Sequence, residues 1–183
     1  MLLKTIGLIG GMTWYSTQEY YRYLNEIVQR RLGGAHAAKI IINSVDFAEI
    51  KKFTEQDDWE AISRILVAAA RSLELAGADC ILIAANTMHK VAEPVRASVM
   101  IPLIDITDVV ANEINSMQMQ TVALLGTKYT MQLDFYKNNL AAKGINVIIP
   151  DTGSISYINH TIYTEFSKGF FFTENKTMLS SDH

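Results

Sequence analysis

The residues best placed to do chemistry are Asn86-Thr87-Met88-His89, directly after the apolar run 81–85. An apolar strand that ends in a polar cluster delivers that cluster to the carboxyl edge of a sheet, where open α/β folds bind ligands. The cluster also opens what reads as a helix from about Thr87. Free backbone N–H groups and the positive end of a helix dipole would then point at the same spot. Asn86 and Thr87 add an amide and a hydroxyl, a set that suits an anion and a small carboxylate in particular. Both residue types are also common helix N-caps, and the two roles are compatible. His89 is the nearest base, although two or three residues into a helix it can equally pack or face water.

A second cluster of this kind is Gly126-Thr127-Lys128-Tyr129-Thr130, after the apolar stretch 121–125. Facing Asn86 and Thr87, it would complete a small polar pocket; capping is again the plainer reading. Gly7-Leu8-Ile9-Gly10-Gly11-Met12-Thr13 joins a strand to a helix, where glycine permits a tight turn and close ligand approach. It lacks the G-x-G-x-x-G spacing of a dinucleotide fingerprint. Cys80 is the one cysteine. It lies five positions before Ala85, about 16 Å along a strand and on the opposite face, so a buried structural thiol is expected. No His, Cys and Asp cluster has metal spacing, and no Ser-His-Asp arrangement can be assembled.

The elements that must position these residues alternate. Strands read at 5–9, 39–43, 79–85, 101–106, 121–125 and 145–149. Helices read at 16–32, 57–76, from about 87, at 108–115, 131–143 and 156–167, with Gly33-Gly34, Gly77 and Gly144 as stops. Strict β–α alternation implies parallel sheets with helices on both faces. Two strands with similar polar ends suggest two related Rossmann-like lobes, 1–106 and 107–183, with a cleft between their strand ends. The second lobe reads as incomplete, because two strands make a poor sheet alone.

Composition narrows the function class. The chain has 183 residues, 49% hydrophobic and 19% charged, with a net charge of −3. That composition folds rather than staying disordered. The lysines and arginines form no basic face, so nucleic acid is not an expected partner. One cysteine rules out an internal disulfide framework and fits a cytoplasmic setting. No apolar run is long enough to span a bilayer.

Taken together, these residues resemble the aspartate/glutamate racemase family of cofactor-independent amino-acid racemases. The matching stretches are Gly7 to Trp14, Ser44-Val45-Asp46-Phe47, Ala85-Asn86-Thr87-Met88-His89-Lys90 and Leu124-Leu125-Gly126-Thr127. The resemblance runs from residue 4 to about 174. It implies two α/β lobes with the active site between them, no cofactor, and inversion at the Cα of an acidic amino acid by two bases on opposite faces. It also implies substrate contacts from Met12, Asn86, Thr87, Thr127 and Tyr129. Two cysteines usually act as the bases, one immediately before the Asn-Thr pair and one in a later Gly-Cys-Thr. Here Ala85 holds the first position, which some members fill with Thr, and no Gly-Cys-Thr occurs. A racemase-family chain truncated before the second base is therefore expected, and three readings stay open: an enzyme using His89 as its base, an inactive remnant that still binds a small amino acid or carboxylate, and an interaction module. Truncation would leave apolar surface uncovered near Phe170-Phe171-Phe172, so a homo-oligomer is expected.

Overall fold

The computed structural model of the chain describes residues 3–170. The elements run β1 (Thr5–Gly10), α1 (Trp14–Leu32), β2 (Lys39–Ser44), α2 (Phe47–Glu55), α3 (Trp59–Leu75) and β3 (Cys80–Ile83). A 3₁₀ segment (Asn86–Val91) leads into α4 (Ala92–Ala97) and α5 (Ile106–Ser116). Then come β4 (Thr121–Ala123), α6 (Lys128–Gln132), α7 (Asp134–Ala142), β5 (Asn146–Ile148), α8 (Thr152–Thr164) and a 3₁₀ turn (Phe166–Lys168). Among the described residues, no helix is long and apolar enough to cross a membrane.

The strands form two parallel sheets, β2-β1-β3 and β4-β5. Each lobe has its own core. In the first, Ile9, Ile81 and Ile83 pack against Ile62, Leu66 and Leu73 of α3, all essentially inaccessible. Burying each such side chain is worth about 1.5–3 kcal/mol. In the second, Leu124, Tyr136, Leu140 and Ile145 form one cluster, and Met131, Ile155 and Ile158 another.

Four elements differ from the sequence reading. Residues 101–106 are not a strand: only Leu103 bridges to Ile81, through Ile81 N–H to Pro102 O and Ile104 N–H to Ile81 O, each 2.9 Å. Pro102 has no N–H to extend a ladder, and Asp105 caps α5 by accepting from Thr107 N–H. The helix expected at 131–143 breaks at Leu133, whose ψ of 151° is extended. Its two halves serve different clusters, Met131 facing α8 and Tyr136 and Leu140 facing β4 and β5. The helix expected from 156 begins at Thr152, because the Asp151 carboxylate accepts from Gly153 and Ser154 N–H. Helix α2 was not anticipated; Asp46 caps it, accepting from Ala48 N–H at 3.0 Å. Of the expected aromatic run, Phe171 and Phe172 lie outside the described residues, as does the tail 173–183.

The second sheet has two three-residue strands, each with exposed ends and only a half-buried middle residue. So small a sheet gives little cooperative protection. Amide hydrogen exchange should be faster at 121–123 and 146–148 than at 6–9 and 80–83. Equal protection in both sheets would contradict this.

Candidate functional site

The segments that follow β1, β2, β3 and β4 meet at one cleft of about 370 Å³. β1 contributes Met12 and Thr13, the turn after β2 leads to Phe47, Ile50 and Thr54 of α2, β3 supplies Ala85, Asn86, Thr87 and Met88, and β4 supplies Gly126, Thr127 and Thr130. Ile162, Tyr163, Phe166 and Ser167, from α8 and the turn after it, close the opposite side. This is the carboxyl edge of parallel sheets, where open α/β folds bind ligands.

Close approach makes the floor of the cleft possible. A Cβ on Gly10 would lie 2.4 Å from Thr17 Cγ2, and one on Gly11, at φ +93°, would lie 2.1 Å from Val45 O. Thr17 Oγ1 accepts from Gly11 N–H at 2.9 Å, which locks the turn to α1. Ser16 Oγ lies 2.8 Å from Ala84 O and ties α1 to the end of β3.

The two lobes meet through hydroxyls. Thr87 Oγ1 is 2.8 Å from Thr127 Oγ1 and 3.1 Å from Thr130 Oγ1, and the last two are 3.2 Å apart. Tyr129 Oη donates to Thr54 O at 3.2 Å, and Tyr15 Oη to Lys168 O at 2.8 Å, adding two ties on either side.

The structure thus brings together Met12, Ala85, Asn86, Thr87 and Thr127, and separates His89 and Tyr129 from them. Tyr129 lines a neighbouring, more polar cleft of about 490 Å³ with Lys51, Lys128 and His160. His89 is buried, with Nδ1 3.1 Å from Ala85 O and Nε2 accepting from Ile106 N–H at 3.4 Å. That pairing assigns the proton to Nδ1 and leaves neither nitrogen for a ligand. Asn86 opens a short 3₁₀ segment rather than a long α-helix, so the expected dipole is weak here. Cys80 is half-buried in β3 and does not line the cleft; burial, with Asp79 beside it, pushes its thiol up.

The titratable groups that do line the cleft are Tyr15, Glu19, Lys51 and Tyr163. Burial pushes Tyr163 up to about 12, so its phenol stays protonated at neutral pH. Glu19 is exposed at the rim, held below the usual carboxylate range by its hydrogen bond to Arg22. Lys51 pairs with Glu55 at 3.7 Å. Thr130 belongs to the second polar cluster read from the sequence, whereas Tyr163 and the α2 residues were not anticipated. Asp46 followed by Phe47, Ile50 and Thr54 at helical spacing was the available signal for α2.

The family model for Asp/Glu/hydantoin racemases matches residues 9–177. The chain belongs to this family. It is similar to a candidate Asp/Glu racemase from Yersinia pestis, at 43% identity and a TM-score of 0.88 over 97% of this chain and 77% of that one. An aspartate racemase homologue from Pyrococcus horikoshii gives 38% and 0.82 over 97% and 76%. The aspartate racemase of Picrophilus torridus, at 22% identity, shares the fold, with a TM-score of 0.68 over 91% and 71%.

Burial pushes the His89 pKa below the usual 6.5, against the opposing pull of Asp105. The unfolded chain therefore takes up a proton that the folded chain refuses. The stability this refusal protects is complete above about pH 6.5 and falls as pH drops toward the folded value. Urea denaturation should show stability declining from about pH 7 to 5.5, with a shallower decline in His89→Gln. An unchanged slope in the variant would show that His89 is not the group responsible.

Proposed function

We propose that this cleft binds a small amino acid through its α-carboxylate, held by Asn86, Thr87 and Thr127. The observation that carries this reading is the meeting of Thr87 and Thr127, one from each lobe, beside Asn86 at the mouth of the cleft. Two hydroxyls and an amide within one small space suit an acceptor-only carboxylate. Membership in the racemase family points to the same ligand class.

Among the described residues of the cleft, no buried side chain is placed as a base for inversion, and the one carboxylate, Glu19, sits exposed at the rim, bound to Arg22. Ala85 has no proton to exchange, Cys80 stands away from the cleft, His89 has both nitrogens engaged, and Tyr163 holds its proton. Losing one positioned acid or base typically costs ~10²–10⁴ in rate. On this reading the described cleft is a binding site of racemase ancestry.

Two side-chain classes compete. Lys51 is the one cation among the described cleft-lining residues, and it favours aspartate or glutamate. The remaining wall is mostly apolar, with Phe47, Ile50, Ile162 and Phe166, and Lys51 already has Glu55. An uncharged side chain avoids the cost of desolvating a second carboxylate.

NMR titration with both enantiomers of aspartate, glutamate and leucine tests the reading. Binding should be saturable and weakened about tenfold or more by Asn86→Ala, as expected for loss of a hydrogen bond to a charged group. Lys51→Met should weaken only the acidic ligands if Lys51 holds a second carboxylate. No Cα proton should exchange with D₂O above the buffer rate. Shifts that persist in Asn86→Ala would place the ligand elsewhere, and robust Cα exchange would overturn the non-catalytic reading.

A further inference from the structure

We infer that Thr130 is a positioning residue that gives this site its preference for a carboxylate over an uncharged amide, by setting the direction of the Thr87–Thr127–Thr130 hydrogen bonds. The inference rests on the proposed carboxylate site and concerns a residue that acts through its neighbours. Thr130 is only 1% exposed, so its side chain reaches the ligand space through Thr87 and Thr127.

The argument follows the protons. A hydroxyl has one proton to donate and two lone pairs to accept with. Thr127 Oγ1 already accepts from Thr130 N–H at 3.3 Å. Thr130 Oγ1 is sealed from water, and among the described residues its hydrogen-bonding partners are the hydroxyls of Thr87 and Thr127. Leaving a buried O–H unpaired is costly, so it donates to one of them, and Thr87 is the closer at 3.1 Å. Thr127 and Thr87 then both accept from donors behind them, and each is free to turn its own proton toward the cleft. In the ligand-free chain one of those protons is spent on the 2.8 Å contact between them. A carboxylate offers acceptors to both. An amide offers one acceptor oxygen, so it can take one of the two protons while its N–H hydrogens face the other hydroxyl's proton.

The seat of Thr130 fits this role. A Cβ on Gly126 would come within 3.1 Å of Thr130 Cβ and 3.2 Å of its Cγ2, so a glycine keeps Thr130 where both hydroxyls can be reached. Thr127 also caps α6, which fixes its own rotamer toward Thr130.

Thr130→Val keeps the shape and removes the hydroxyl; Thr130→Ser restores it. Two measurements decide the matter. The first is affinity for L-aspartate and L-leucine against their α-amides. Wild type and Thr130→Ser should prefer the carboxylate, and Thr130→Val should lose about tenfold of that preference, the size of one hydrogen bond to a charged acceptor. The second needs no ligand: three-bond NMR couplings should report one Thr87 χ1 rotamer in wild type and Thr130→Ser, and averaging in Thr130→Val. A valine variant with wild-type preference and a single rotamer, or a serine variant that fails to restore them, would overturn the inference. If wild type binds no amino acid, the proposed function fails, and the rotamer measurement still decides the role of Thr130.

Discussion

The contact between Thr87 and Thr127 is the interaction on which the rest of this molecule's functional architecture depends. Each residue lies four positions past a strand of a different sheet, and the 2.8 Å approach of their hydroxyls joins the two turns. Everything around it serves that approach. Gly10 and Gly11 let the first turn sit tight against Thr17 and Val45, leaving room for Met12 and Thr13 at the floor. Gly126 lets Thr130 come up behind both hydroxyls. Tyr129 and Tyr15 each send a hydroxyl to a backbone carbonyl on the other side of the cleft, so the two halves are tied by side-chain-to-backbone bonds as well. Single bonds of this kind contribute about 1 kcal/mol each.

Much of this was legible in the sequence, because strand-end chemistry is local. An apolar run followed by Asn86-Thr87, and another followed by Gly126-Thr127, give position and polarity together, and the parallel sheets follow from the alternation of elements. What was not legible depended on tertiary contacts. The separation of Tyr129 from Thr127 follows from the turn of α6, which points the Tyr129 ring at Trp59 and its hydroxyl at Thr54. His89 looked like a base beside a ligand site; its ring turns instead to the Ala85 carbonyl and the start of α5. Helix α2, which supplies one wall of the cleft, announces itself only weakly, by the Asp46 cap and by Phe47, Ile50 and Thr54 at helical spacing over nine residues. Pro102 should have demoted the strand read at 101–106.

The cleft combines a polar mouth with a mostly apolar wall, and its one described carboxylate, Glu19, sits at the rim paired with Arg22. These properties are separable. Hydroxyls, an amide and tight turns govern which ligand is held, whereas inversion needs proton carriers on both faces of Cα. A family member can therefore keep the first set and lose the second. In the proposed reading Ala85 marks that division most clearly: it stands next to Asn86, carries no exchangeable proton and packs as part of the wall.

The most direct test of this account is a crystal structure of the chain with L-aspartate or L-leucine bound. The account predicts an α-carboxylate lying between Asn86, Thr87 and Thr127, with the Thr87–Thr127 hydroxyl contact replaced by contacts to the ligand and Thr130 still behind them. A carboxylate lodged instead in the neighbouring cleft beside Lys51, Lys128 and His160, with the threonine hydroxyls still bonded to one another, would contradict it.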